Sequence, residues 1–150
     1  MRNIKYIVVH STATSPTQTL EALKKSWEDE QGIKKPCFHY VILRDGEIVQ
    51  TLRRKTATGS LGVNNECIHI AYMGGIDKEG NAADTLTQAQ KDSLFDLLVE
   101  LSEKHHTAEI VGQDEIVPDS GTSPCFNIRQ WLASYIPFIA DYESELDIAA

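Results

Sequence analysis

The stretch "IKYIVVHSTAT", residues 4–14, decides the fold. Seven residues rich in β-branched and aromatic side chains run into a polar, threonine-containing loop. An apolar run this short and this continuous reads as a strand in the middle of a sheet, covered on both faces. His10 closes the run, so an imidazole sits at the strand's carboxyl end.

Working outward, Thr17 or Thr19 is placed to cap a helix over about 18–31. Leu20, Leu23 and Trp27 lie on one of its faces, and Gly32 stops it. "CFHYVILRDGEIVQTLR" (37–53) reads as a hairpin, two β-rich arms around the turn signal Asp45-Gly46. After a Gly/Asn-containing loop comes "CIHIAYM" (67–73), a strand whose alternation puts Cys67, His69, Ala71 and Met73 on one face. "TLTQAQKDSLFDLLVELSEKH" (85–105) is the clearest helix. Thr87 and Gln90 form a candidate capping box, and Leu94, Leu97, Leu98 and Leu101 form an apolar stripe. A last strand, "AEIVG" (108–112), precedes the loop "QDEIVPDSGTSPCF". A closing helix, "NIRQWLASYIPFIA", is expected to kink or end at Pro137. This order predicts an α/β fold: one domain over residues 1–140, a central mixed β-sheet flanked by helices. Residues 141–150 form an acidic tail.

Composition narrows the function. The chain has 150 residues, 41% hydrophobic and 24% charged, as in an ordinary soluble domain. A net charge of −8 argues against a nonspecific nucleic-acid binder, which needs clustered cations to displace counterions from phosphate. No apolar run approaches the length of a membrane span. The three cysteines are odd in number and far apart, which suits a reducing compartment better than a disulfide framework. No secretory signal precedes residue 4, so the product is expected to be cytoplasmic as synthesised. Access to a cell wall would need a separate export or lysis route.

Five stretches stand in one register: "IVVHSTAT", "FHYVILRDGEI", "IAYMGGID", "LTQAQKDSLFDLLVEL" and "SPCFNIRQWL". In that order the chain resembles the N-acetylmuramoyl-L-alanine amidases, the zinc amidases of the phage lysozyme and peptidoglycan-recognition type. The resemblance runs from residue 4 to about 135 and implies the amidase fold. It also implies a zinc ion held by two histidines and a cysteine or aspartate. That ion polarises the amide between the lactyl group of muramic acid and L-alanine and activates a water. His10 matches the first ligand. The second ligand position falls on Gln113, in the Gly112-Gln113 step, and the third on Ser123, before Pro124. A catalytic lysine position falls on Gly121 and a catalytic tyrosine position on Phe38. His39 follows Phe38, and Gly59 matches a histidine that lines the substrate groove.

These substitutions remove the donors that zinc prefers. An amide is a weak ligand, a serine hydroxyl is neutral near pH 7, Phe38 has no proton to give, and Gly121 has no charge. The sequence therefore predicts no zinc and no hydrolysis, with binding of a muropeptide or of a protein partner as the retained role. Some phage members of the family also bind host RNA polymerase, which gives the second role a precedent. The alternative is an active amidase with a rearranged zinc site, His10 joined by Cys125 or by a nearby carboxylate of Asp114, Glu115 or Asp119. His39 and His69 are expected as hydrogen-bonded core residues, and His105-His106 as helix-end residues suited to the dipole.

Overall fold

The computed structural model describes residues 3–29, 36–52, 64–116 and 123–134. Its centre is a five-stranded sheet. The strands in chain order are β1 (Tyr6–Ser11), β2 (Tyr40–Ile42), β3 (Ile48–Gln50), β4 (Cys67–Tyr72) and β5 (Glu109–Gly112). Across the sheet they lie in the order β3-β2-β4-β1-β5. β2, β4, β1 and β5 are mutually parallel, and only the hairpin partner β3 is antiparallel. The expected mixed sheet is therefore present, and β1 is an interior strand, fully buried from Ile7 to Ser11.

Alternation along the strands makes two different faces. One carries Ile7 and Val9 of β1, Ile68, Ile70 and Tyr72 of β4, and Ile42 of β2. Helix α2 (Gln88–Lys104) covers this face through Leu94, Leu97, Leu98 and Leu101, and Ile128 joins them from α4 (Ile128–Ala133). Four buried leucines at roughly 2 kcal/mol each outweigh the marginal intrinsic stability of a lone helix. The other face is mixed. Helix α1 (Leu20–Asp29) lays Leu23 and Trp27 on Phe38, Val41, Ala71 and Met73. Val8, Cys67 and Val111 make a separate small cluster nearer β5. Between these two apolar patches lies a strip that is polar.

Local chemistry explains the element ends. The hairpin turns where Gly46, at φ 91°, takes a conformation that favours glycine, and its N–H donates to Leu43 O. The capping box is complete: Thr87 Oγ1 accepts from Gln90 N–H, and Gln90 Oε1 accepts from Thr87 N–H. Helix α1 is shorter than the expected 18–31, beginning at Leu20. Thr19, not Thr17, accepts from Ala22 N–H, while the Thr17 hydroxyl pairs with Ser15. The loop after β5 opens with a one-turn helix, α3 (Gln113–Ile116), that hydrophobic periodicity does not signal. The expected helix stop at Gly32, the end at Pro137 and the acidic tail lie outside the described residues.

Gln90 does more than cap. It is fully buried, and its Nε2 donates to Ile42 O (3.2 Å) and Met73 O (3.1 Å). The start of α2 is thereby fastened to the carboxyl ends of β2 and β4. Gln90→Leu should lower unfolding stability by about 2–3 kcal/mol, because buried backbone groups lose their partner. Gln88→Ala, at an exposed position two residues earlier, should stay within about 0.5 kcal/mol. Urea denaturation of both variants checks the difference.

Candidate functional site

The polar strip is a row of histidines. His39 precedes β2, His69 is in β4 and His10 is in β1, and all three are at most 1% exposed. Strand pairing sets their spacing: His69 N–H donates to His39 Nδ1 at 3.0 Å, and His39 N–H donates to His69 O at 2.9 Å. The His39 and His69 rings stack at 5.9 Å with 13° between their planes. His69 Nδ1 then meets His10 Nε2 at 2.8 Å, and His69 Nε2 lies 3.2 Å from Asn64 Oδ1. Phe38 packs on the His10 ring at a centroid distance of 5.0 Å, and Trp27 meets Phe38 edge-on at 5.8 Å.

The row ends on the β5 side at Gln113, whose side chain hydrogen-bonds to His10. Burial drives the His10 pKa down to about 4, against the opposing effect of the Gln113 bond. The imidazole is therefore neutral at physiological pH. Ser123 approaches from the neighbouring loop: its Oγ accepts from Ser11 N–H at 2.9 Å, and its carbonyl accepts from Asp114 N–H at 3.0 Å. Gly112 permits this approach, since a Cβ there would stand 2.9 Å from Pro124 Cδ. Tyr72 Oη donates to Pro124 O at 2.6 Å, securing the same loop to β4.

The carboxylates beside Gln113 have different duties. Glu115 accepts from Gly112 N–H at 2.7 Å and from Arg129 Nε at 2.6 Å. Partial burial pushes its pKa up, but the bonds from Arg129 and Gly112 outweigh that and hold it below the usual range. Arg129 also reaches Glu109 at 2.7 Å, tying α4 to β5. Asp114 is shifted upward, first by burial and then by the neighbouring Glu115 charge. Cys125 Sγ donates to Gly75 O at 3.7 Å, from a backbone at φ 74°. Asp114, Glu115, Cys125 and Phe126 border a groove of about 400 Å³. A second groove, of about 520 Å³, opens between residues 16–21, the hairpin turn and Met73. Both lie at the carboxyl edge of the parallel strands, where open α/β sheets bind ligands. Neither is lined by a histidine.

The structure thus brings together His10, His39, Phe38, Gln113 and Ser123, which lie far apart in sequence. Gly59, Gly121 and Asp119 lie outside the described residues. Among the described residues, no group of three or more His, Cys, Asp or Glu side chains is arranged to hold a metal ion. No described helix is long and apolar enough to cross a membrane. Sequence reasoning missed the bond between His10 and His69, the part of Asn64, and the use of Ser11 N–H as a partner for Ser123. The one available signal was alternation, which faces His69 toward the same side as Ala71.

A family model described as N-acetylmuramoyl-L-alanine amidase matches residues 1–125. The chain belongs to this amidase family. The endolysin of Escherichia phage T7 is 35% identical over 128 residues, covering 83% of this chain and 83% of the endolysin. Among solved structures, the endolysin of Thermus scotoductus bacteriophage Ph2119 superposes with a TM-score of 0.75 at 24% identity, over 89% of this chain and 85% of that one. A Tyr-to-Phe variant of Drosophila PGRP-LB, in complex with tracheal cytotoxin, gives a TM-score of 0.68 at 12% identity, over 85% of this chain and 78% of that one. The amidase frame therefore extends over the strands and loops that carry the histidine row.

Because His10 binds protons less readily folded than unfolded, the unfolded chain holds more protons between pH 6.5 and about 4. Its contribution to stability is full above pH 6.5 and falls as pH drops toward 4, by up to about 3 kcal/mol. Urea unfolding across this window should show a shallower fall for His10→Gln than for the unaltered chain. Equal slopes would assign the acid sensitivity to other groups.

Proposed function

We propose that this amidase-family domain binds peptidoglycan fragments of the muropeptide class without hydrolysing them. The observation that carries the reading is the donor set around His10: an amide at Gln113 and a hydroxyl at Ser123, both already bonded within the protein. Zinc prefers imidazole, thiolate and carboxylate, so these residues do not fit the ion that the family uses. Phe38 lies against His10 with a ring and no hydroxyl, so that position offers no proton donor. A bound amide would find no strong electrophile here, and it would stay whole. The two grooves at the carboxyl edge of the sheet supply the binding surface. The PGRP-LB variant in complex with tracheal cytotoxin is a case of this fold with a bound ligand, which supports the reading.

A rearranged metal site is less well supported. Glu115 is held by Arg129 and Gly112 N–H, and the Cys125 thiol is directed to Gly75 O. Recruiting either residue to His10 would break bonds that secure the loop.

Calorimetry with muropeptide in the presence of a chelator should give saturable binding, and its absence would remove the binding role. The variant Gln113→His/Ser123→Cys supplies the missing donor types. Zinc at a hundredfold excess over its Kd should stabilise that variant by about 3 kcal/mol through mass action. The unaltered chain should show no zinc-linked change in Tm. A comparable zinc-linked rise in the unaltered chain would mean that Gln113 and Ser123 do not define the site.

A further inference from the structure

We infer that the groove between the start of α1 and the hairpin turn is a subsite for a peptide end that carries both a free ammonium and a carboxylate. Its ligand is then the stem peptide already released from muramic acid, and Arg44 is the residue that selects the carboxylate. The inference rests on the proposed reading only in taking the ligand from peptidoglycan.

The groove, of about 520 Å³, has two walls of different origin. Glu21 comes from the first turn of α1. Arg44 and Glu47 come from the turn between β2 and β3, closed by Leu43 N–H donating to Glu47 O at 2.8 Å. Leu43, Val49 and Met73 supply apolar lining. Helix α2 pins the turn: Thr87 Oγ1 donates to Arg44 O at 2.7 Å, and Ser93 Oγ donates to Gly46 O at 2.5 Å. The Arg44 side chain therefore starts from a fixed backbone, which lowers the entropy lost on binding.

What marks this groove is the state of its charges. The ion pairs among the described residues involve neither Glu21, Arg44 nor Glu47, and no hydrogen bond engages any of these three side chains. The other groove differs: Glu115 there is already bonded to Arg129 and to Gly112 N–H, and no cationic side chain lines it. Two carboxylates on opposite walls repel each other, and a ligand ammonium between them relieves that repulsion. A guanidinium beside them takes a carboxylate through paired N–H donors. A ligand with one sign of charge would satisfy part of this lining and oppose the rest.

That requirement separates cleaved from intact material. In an intact muropeptide the alanine nitrogen is an uncharged amide. Hydrolysis breaks its C–N bond to the lactyl group. The water hydroxyl goes to the lactyl carbonyl, and the water's other proton and the new acid's own proton end on the nitrogen as an ammonium. The next residue of the stem, a glutamate, carries carboxylate. A separate amidase reaction must therefore supply this ligand, and the domain binds its product.

Titration of ¹⁵N-labelled protein with the synthetic dipeptide L-alanyl-D-glutamate, followed by proton–nitrogen NMR, reads both affinity and place. The dipeptide should shift the amide signals of Leu43, Arg44 and Glu47 saturably. N-acetylating it removes the ammonium, and amidating it removes the carboxylates. Each change should weaken binding about tenfold or more, the worth of one charge-assisted contact. Arg44→Ala should weaken dipeptide binding by a similar factor and leave amidation without further effect. Glu21→Gln/Glu47→Gln should do the same for N-acetylation. All three side chains are exposed, so these variants keep the fold. Equal affinity for the free and N-acetylated dipeptide would overturn the inference. So would undiminished binding by Arg44→Ala, or no saturable shift at millimolar dipeptide. Intact muropeptide is titrated separately, and its binding or failure to bind leaves the dipeptide comparison unchanged, so the two conclusions fail independently.

Discussion

An imidazole can be buried in the face of a sheet only when its nitrogens find partners, because an unsatisfied polar group in a low-dielectric interior costs about 1–3 kcal/mol. The hydrogen bond between His10 Nε2 and His69 Nδ1 meets that requirement for two rings at once. It needs β1 and β4 to pair in parallel with Val8 opposite His69 and His10 opposite Ala71, which is the observed register. A slip of β1 by one residue would turn the His10 ring to the opposite face, into the leucines of α2. The bond therefore links sheet register, helix placement and the composition of the site.

Around this bond the amidase frame is held by contacts that need no metal. Ser123 is joined to β1 through Ser11 N–H, Pro124 to β4 through the Tyr72 hydroxyl, and Asp114 N–H to Ser123 O. Arg129 closes the β5 side by bridging Glu109 and Glu115. Arg129 is exposed, so its ion pairs add little energy individually. Their geometry still fixes where α4 meets β5. The position of this loop is set in part by its hydrogen bonds to Ser11 N–H and to the Tyr72 hydroxyl.

Much of the fold was legible because its signals are local. The Asp45-Gly46 turn, the Thr87–Gln90 capping box and the leucine stripe of α2 each depend on residues within a few positions of one another. The β-rich run ending at His10 identified an interior strand for the same reason. The site was legible only where the resemblance supplied a register, bringing His10, Phe38, Gln113 and Ser123 to one place. The His69–His10 bond spans 59 residues and depends on strand order, which periodicity does not encode. Gln90 is similar: its cap is readable, but its bonds to Ile42 and Met73 require knowing which strands end beneath α2. The single turn of α3 is too short for a hydrophobic pattern to announce.

The proposed function separates a surface that receives peptidoglycan from a centre that breaks it. In the proposed reading, neutral His10, an amide, a hydroxyl and a phenyl ring leave the site without a strong electrophile. The most direct test is mass spectrometry of purified muropeptide after prolonged incubation with stoichiometric protein and added zinc. The account predicts that the muropeptide is recovered intact. Release of a free peptide beginning at L-alanine would contradict it.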